Sequence, residues 1–299
     1  MSEAIAALRN RVGPEVLQLL EHDLSPSQLS TLLLSIAASR ATEVSPPALL
    51  ADSPFTVPAL TDPRALAALE NQVWQALPTE FTGVELSPVA PLGSCSVLAG
   101  VSQHRVMTTV RGSEVVSDAT NVLAIEAARR RRTGAAAAHL AACHRLLRTQ
   151  RFSAVGARQH FKLLSLVSSA PDLGSGRTES DLLILHLSSL RRVLDAVGLT
   201  DVRVAWTVFR EGAVAERLRD VVVPALELPW AELPDRTGAD YYAEVAFKIF
   251  VGETELGDGG LTRWTAKLLG NAKERCLISC LSTERMTELV QPKKTSASA

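Results

Sequence analysis

The segments "AACHRLLRTQ" (141–150) and "QHFKLLSLVSS" (159–169) restrict this chain more than any other feature. Both read as strands, and only "RFSAVGAR" separates them. A parallel pair would need a crossover of roughly a dozen residues or more, so the spacing predicts an antiparallel hairpin with a long loop. Further strand candidates are "VRVAWTVF", "YYAEVAFKIFV" and "CLISCL". "GVELSPVAP" reads as a strand interrupted by proline, and the β-branched content of "SVLAGVSQHRVMTTVRG" predicts one or two more. Helical patterns fall between these groups in "PRALAALENQVWQAL", "ATNVLAIEAARRRR" and "ESDLLILHLSSLRRVLDAVG". In the last, apolar positions 182, 183, 187, 190, 194 and 197 share one face and Gly198 ends the run. Strands grouped as hairpins with helices inserted between the groups imply an α+β domain on a mostly antiparallel sheet.

The chain divides by pattern. Residues 1–45 form an N-terminal helical extension, in which Ser25 caps a helix that begins at Pro26. Five prolines between Pro46 and Pro63 mark an extended connector over 46–63. Residues 64–290 carry the α+β core, and 291–299 ("QPKKTSASA" with its small polar end) reads as a disordered tail.

A hydrophobic share of 46% and a formal net charge of -1 exclude both disorder and a strongly basic nucleic-acid surface. Cys95, Cys143, Cys276 and Cys280 form no CxxC pair, which fits reduced thiols in a cytoplasmic protein. The N-terminus lacks the basic start and apolar core of a signal peptide, and no apolar run approaches the roughly 18–20 residues that cross a bilayer. A soluble protein without membrane contact is therefore expected.

Three separated stretches carry chemistry. In the hairpin, Arg148 and Arg158 can grip a phosphate, and the Phe161 ring can stack on a purine. The plainer interpretation is an edge hairpin with solvated arginines. "CLISCLSTER" loses bulk before Glu284-Arg285 at a helix start, which leaves room for a ligand above the strand or is simply an acidic first turn. Asp118 and Thr120 precede a helix, where they either cap it or receive an ammonium group. His139, Cys143 and His144 could suggest a metal, but Cys143 and His144 face opposite ways if they lie on a strand and no fourth ligand is in sight, so no metal site is expected. The arginines at 129–132 read as a solvated helix face.

In this order the motifs resemble the catalytic domain of class II aminoacyl-tRNA synthetases. The likeness is to the histidyl-tRNA synthetase branch, which includes a regulatory subunit of ATP phosphoribosyltransferase. "ALENQVWQALPTEFTGVELSPVAP" is similar to motif 1, with Pro88 or Pro91 at a dimer interface; "LLRTQRFSAVGARQHFKLL" looks like motif 2 and "ISCLSTERM" like motif 3. "GADYYAEVAFKIFV" and "DGGLTRW" resemble the substrate-pocket tyrosine strand and a paired-glycine turn.

The resemblance implies a class II synthetase-like antiparallel sheet flanked by helices and an ATP-dependent ligase that forms an aminoacyl-adenylate. ATP and Mg²⁺ are the implied cofactors. Arg148 and Arg285 would be catalytic, on the α- and γ-phosphates. Gln150, Arg158, Phe161 and Glu284 would complete the ATP site. Asp118, Thr120, Tyr241, Tyr242, Gly259 and Gly260 would hold an amino acid or related carboxylate. A tRNA or carrier protein would be the acceptor, and a homodimer or hetero-oligomer the assembly.

Departures from the family pattern favour an alternative, a non-catalytic paralogue acting as a regulatory or binding subunit. Gln150 replaces the motif 2 acid, and Ser279, Leu281 and Thr283 replace glycines, which would narrow the adenosine floor. Thr237 stands where the histidyl branch has arginine, with Arg236 one residue away, and no anticodon-binding domain follows motif 3.

Overall fold

The computed structural model describes residues 3–150, 158–234, 236–238 and 240–291. The hairpin loop 151–157 and the tail from 292 lie outside the described residues. Among the described residues ten strands are present: β1 (Thr82–Gly83), β2 (Val89–Pro91), β3 (Ser113–Val115), β4 (Ala138–Leu147), β5 (His160–Pro171), β6 (Val202–Val208), β7 (Trp230–Glu232), β8 (Val245–Val251), β9 (Thr254–Thr262) and β10 (Glu274–Ser282). Eight of them build one sheet in the order β1-β4-β5-β10-β9-β8-β6-β7, and β2 pairs β3 apart from it. The β1–β4 and β6–β7 edges are parallel, while every inner pairing is antiparallel. This mixed sheet flanked by helices is the α+β architecture expected from the sequence.

The alternation of side chains across the strands gives each sheet face its own core. On one face, Leu164, Leu166, Leu277 and Leu281 pack beneath the helices Pro63–Ala76 and Arg177–Ala196, through Val73, Leu183 and Leu187. The other face carries Val167, Ile278 and Ala246, covered by Trp264 and by the helix Ala119–Arg132 through Leu123 and Ala127.

Local signals placed most helices correctly. Ser25 caps the helix Pro26–Thr42 in a reciprocal capping box with Gln28. Asp118 caps Ala119–Arg132 by accepting from the Thr120 amide, and Gly198, at φ 81°, follows the helix Arg177–Ala196. From the connector, the Val57 carbonyl lies 2.6 Å from His160 Nε2 on β5.

Two expectations are corrected. Residues 96–112 do not form the expected strands. A helical turn Ser96–Ala99 ends at Gly100 (φ 69°), a 3₁₀ turn Gln103–Arg105 follows, and Thr108 makes only a bridge to Glu114. The cause is a buried carboxylate. Glu114 accepts from the amides of Gly93 and Cys95, each at 2.9 Å, and from Gln103 Nε2 at 3.0 Å. These bonds fold the stretch from Gly93 to Gln103 around the Glu114 side chain instead of extending it along a strand. Second, Gly259 and Gly260 are not in a turn but inside β9, between β8 and β10. A Cβ at Gly260 would lie 2.5 Å from the Tyr242 ring, and one at Gly259 would lie 2.5 Å from the Ile278 carbonyl oxygen. The glycines serve close approach, not backbone reversal.

Candidate functional site

A cavity of about 320 Å³ opens over β5, β10 and β9, beside the start of the helix Ala119–Arg132. Leu163, Ile278 and Cys280 contribute to its sheet-side wall. The capping turn supplies Ser117, Asp118 and Thr120, and the stretch after β4 supplies Arg148 and Gln150. Tyr241 and Tyr242 come from the turn that leads into β8. These residues converge because motif 2 and motif 3 occupy neighbouring strands: β10 pairs β5 from Glu274↔Pro171 to Ser282↔Leu163.

Two carboxylates line the cavity, each held by one of two adjacent tyrosines. Asp118 Oδ1 accepts from the Thr120 amide (2.9 Å) and hydroxyl (2.6 Å), and Oδ2 accepts from the Tyr241 hydroxyl at 2.8 Å. Asp258 Oδ2 accepts from Tyr242 at 3.0 Å and from Arg236 Nη2 at 2.6 Å. Burial first and the facing carboxylates second push both tyrosine hydroxyls well above their ordinary range, so each remains a donor at neutral pH. Cys280 donates to Asp258 Oδ1 at 3.4 Å, and burial followed by that carboxylate raises its thiol pKa well above normal. The Cys280 thiol is therefore protonated and not a nucleophile at neutral pH.

Arg148 lines the same cavity. Its Nε donates to the Ser117 carbonyl at 3.0 Å, and its guanidinium lies 5.2 Å over the Phe161 ring. Gln150 lines the cavity, and its carbonyl lies 3.4 Å from Gln159 Nε2. Arg285 sits apart: Nη1 donates to the Glu255 carbonyl at 2.7 Å, and the residue is exposed. Glu284 pairs with Arg145 at 2.6 Å. Arg158 is half-buried, with Nε unpartnered among the described residues. Gly260 lies against the Tyr242 ring in β9, whereas Gly259 faces Phe247 and Ser279.

The structure thus gathers Asp118, Thr120, Tyr241, Tyr242, Arg148 and Gln150 at one cavity, with Phe161 behind Arg148. It does not bring Glu284, Arg285 or Arg158 to the wall. The side chains expected to narrow the floor point elsewhere. The Ser279 hydroxyl lies 2.8 Å from His186 on the opposite sheet face, Leu281 joins the core there, and Thr283 donates to the Lys162 carbonyl at 3.2 Å. His186 also lies 2.8 Å from the Ser168 hydroxyl, which in turn is 2.7 Å from His139. Complete burial lowers the His186 pKa to about 3, so this chain of hydroxyls and imidazoles under the floor is neutral.

Sequence reasoning missed Asp258, Cys95 and Arg105 as cavity residues. Asp258 had a signal, an acid directly before two glycines, whereas Cys95 and Arg105 reach the cavity only through the loop folded around Glu114. The expected role of Thr237 and Arg236 divides: Thr237 lines the cavity, while Arg236 turns inward to Asp258 and the Phe247 carbonyl. Among the described residues no group of three or more His, Cys, Asp or Glu could hold a metal, and no helix is long and apolar enough to cross a membrane.

No protein-family model matches the chain, and no curated protein matches it in sequence. Solved structures do match its fold. One is an ATP phosphoribosyltransferase regulatory subunit/histidyl-tRNA synthetase from Bacillus halodurans, at TM-score 0.63 and 12% identity, covering 81% of this chain and 84% of that one. A histidyl-tRNA synthetase from Nostoc matches at TM-score 0.60 and 10% identity, over 80% of this chain and 74% of the other. Pyrrolysyl-tRNA synthetase from Desulfitobacterium hafniense matches at TM-score 0.53 and 14% identity, over 78% and 74%. With the eight-stranded sheet and its motif order, these likenesses establish that the chain has the class II synthetase-like fold.

Proposed function

We propose that this protein activates an amino acid or related carboxylate with ATP, forming an acyl-adenylate and pyrophosphate. The observation that supports this reading is that Asp118 and Arg148 line one cavity, an anionic pole for an ammonium and a cationic pole for a phosphate. A substrate with its ammonium on Asp118 directs its carboxylate away from the aspartates. A carboxylate oxygen then attacks the α-phosphorus, and pyrophosphate leaves with the electrons of the broken P–O bond. Such a displacement needs alignment and charge neutralisation more than a protein nucleophile. Arg148 would neutralise the α-phosphate. Phe161 would take the adenine, and Arg285 the γ-phosphate after leaving the Glu255 carbonyl. With glutamine at position 150 and no metal-binding cluster among the described residues, Mg²⁺ would arrive on the nucleotide's phosphates. The activated acyl group would pass to a tRNA, a carrier protein or a small molecule.

A second reading, a regulatory or binding subunit that retains the ligand cavity without catalysis, is favoured by two contacts. Arg148 lies over the Phe161 ring that a purine would use, and Arg285 is bonded outside the cavity. ATP–pyrophosphate exchange over twenty amino acids separates the readings. Exchange with one amino acid supports activation. Amino-acid binding without exchange, and without nucleotide binding at millimolar Mg-ATP, supports the regulatory subunit. For the assembly we propose a cytoplasmic homodimer or hetero-oligomer through the motif 1 edge, where Val89, Leu92 and Val97 are exposed.

A further inference from the structure

We propose that the cavity selects a ligand carrying a second hydrogen-bond donor, read by Asp258 Oδ1. Amino acids with donor-bearing side chains are accepted and apolar ones rejected. This inference rests on the amino-acid reading of the cavity.

The two aspartates are unequally satisfied. Both Asp118 oxygens have strong donors, as described. At Asp258, Arg236 and Tyr242 both go to Oδ2. Among the described residues Oδ1 accepts only from the Cys280 thiol at 3.4 Å, a weak donor. Asp258 lines the cavity with its side chain 36% exposed, whereas its partner Arg236 is 9% exposed. The carboxylate is therefore anchored from behind by one oxygen and offers the other to whatever enters.

The rings of Tyr241 and Tyr242 lie 4.8 Å apart at 74°, so the adjacent tyrosines fix two separate acceptors at one cavity. A ligand with only an ammonium satisfies Asp118 and leaves Asp258 facing it. An apolar side chain there strips water from Oδ1 and returns no hydrogen bond, a penalty that a site built for an N–H or O–H imposes on any analogue lacking it. Because Arg236 already balances the charge of Asp258, an amide, imidazole or hydroxyl donor serves as well as a cation. A side-chain carboxylate meets acceptor against acceptor and is refused.

Calorimetric titration of the full chain with glutamine, histidine, lysine, methionine, leucine and glutamate tests this. The closely matched pair glutamine and methionine should differ by about 100-fold or more in favour of glutamine if no other donor-bearing side chain is preferred, and the best ligand in every case should carry a donor. In Asp258→Asn the amide oxygen keeps Arg236 and Tyr242, and the NH₂ group faces the cavity. That variant should favour glutamate over glutamine. Apolar ligands binding wild type as tightly as any donor-bearing one overturn the inference, as does an unchanged ranking in Asp258→Asn. Either result leaves the amino-acid reading intact if Asp118→Ala still abolishes binding. No amino acid bound by wild type at millimolar concentration overturns the reading and the inference together.

Discussion

The hydroxyl of Tyr241 donates to Asp118 Oδ2 across 2.8 Å although 123 positions separate the two residues. The bond ties the turn before β8 to the cap of the helix Ala119–Arg132, so one contact joins two elements of the cavity wall. Tyr241→Phe removes a hydrogen bond to a charged group and should destabilise the protein by about 1.5–3 kcal/mol. A urea midpoint within error of wild type would show that Asp118 finds another donor.

Arg148 is the cation at the proposed nucleotide end. Arg148→Ala should weaken Mg-ATP binding by one to two orders of magnitude, about 1.5–3 kcal/mol for a charged hydrogen bond. Arg148→Lys should recover little, because an ammonium lacks the planar guanidinium that lies over Phe161 and reaches Ser117. Titration calorimetry reads both variants. Equal nucleotide affinity in wild type and Arg148→Ala would remove Arg148 from the site.

His186 makes stability depend on pH. Burial lowers its folded pKa from 6.5 to about 3, so the unfolded chain binds a proton that the folded chain refuses. The contribution is fully present above about pH 6.5 and is lost as pH falls from there towards 3, on the order of 5 kcal/mol in all. His139, lowered by burial too, adds in the same direction. Denaturant midpoints measured from pH 7.5 to 4.5 should fall steadily, and less steeply in His186→Gln.

Gly260→Ala tests the close approach inside β9. The new methyl would stand 2.5 Å from the Tyr242 ring and 2.8 Å from the Val245 carbonyl oxygen. Displacing that ring should cost about 1–3 kcal/mol and disturb the Tyr242–Asp258 bond. Chemical denaturation gives the first quantity. A stable variant with unaltered ligand affinity would mean that the ring yields at no expense.

What the sequence made legible was local or periodic. Ser25 and Asp118 could be read as caps because their partners sit two or three residues away. The adjacency of β5 and β10 followed from requiring motif 2 and motif 3 to converge. Strand parity was not legible at β10. Nothing in "ISCLST" tells which residues face the cavity, and Ser279 turned to His186 while Cys280 turned to Asp258. The glycines at 259 and 260 looked like a turn, since the rings pressing on them come from a different strand and a distant tyrosine. Residues 96–112 had strand-like composition, but Glu114 holds the Gly93 and Cys95 amides just before them and the Gln103 side chain within them, contacts that pairwise patterns cannot reveal.

That carboxylate has a kinetic consequence. Glu114 is the shared acceptor for Gly93, Cys95 and Gln103, and the segment it gathers carries Cys95 and Arg105 to the cavity wall. The wall therefore opens as a unit: when Glu114 lets go, the Gly93 and Cys95 amides meet solvent together. Their hydrogen-exchange rates should be matched, respond alike to denaturant, and rise together in Glu114→Gln, while Leu277 in the central strand keeps the protection of global unfolding.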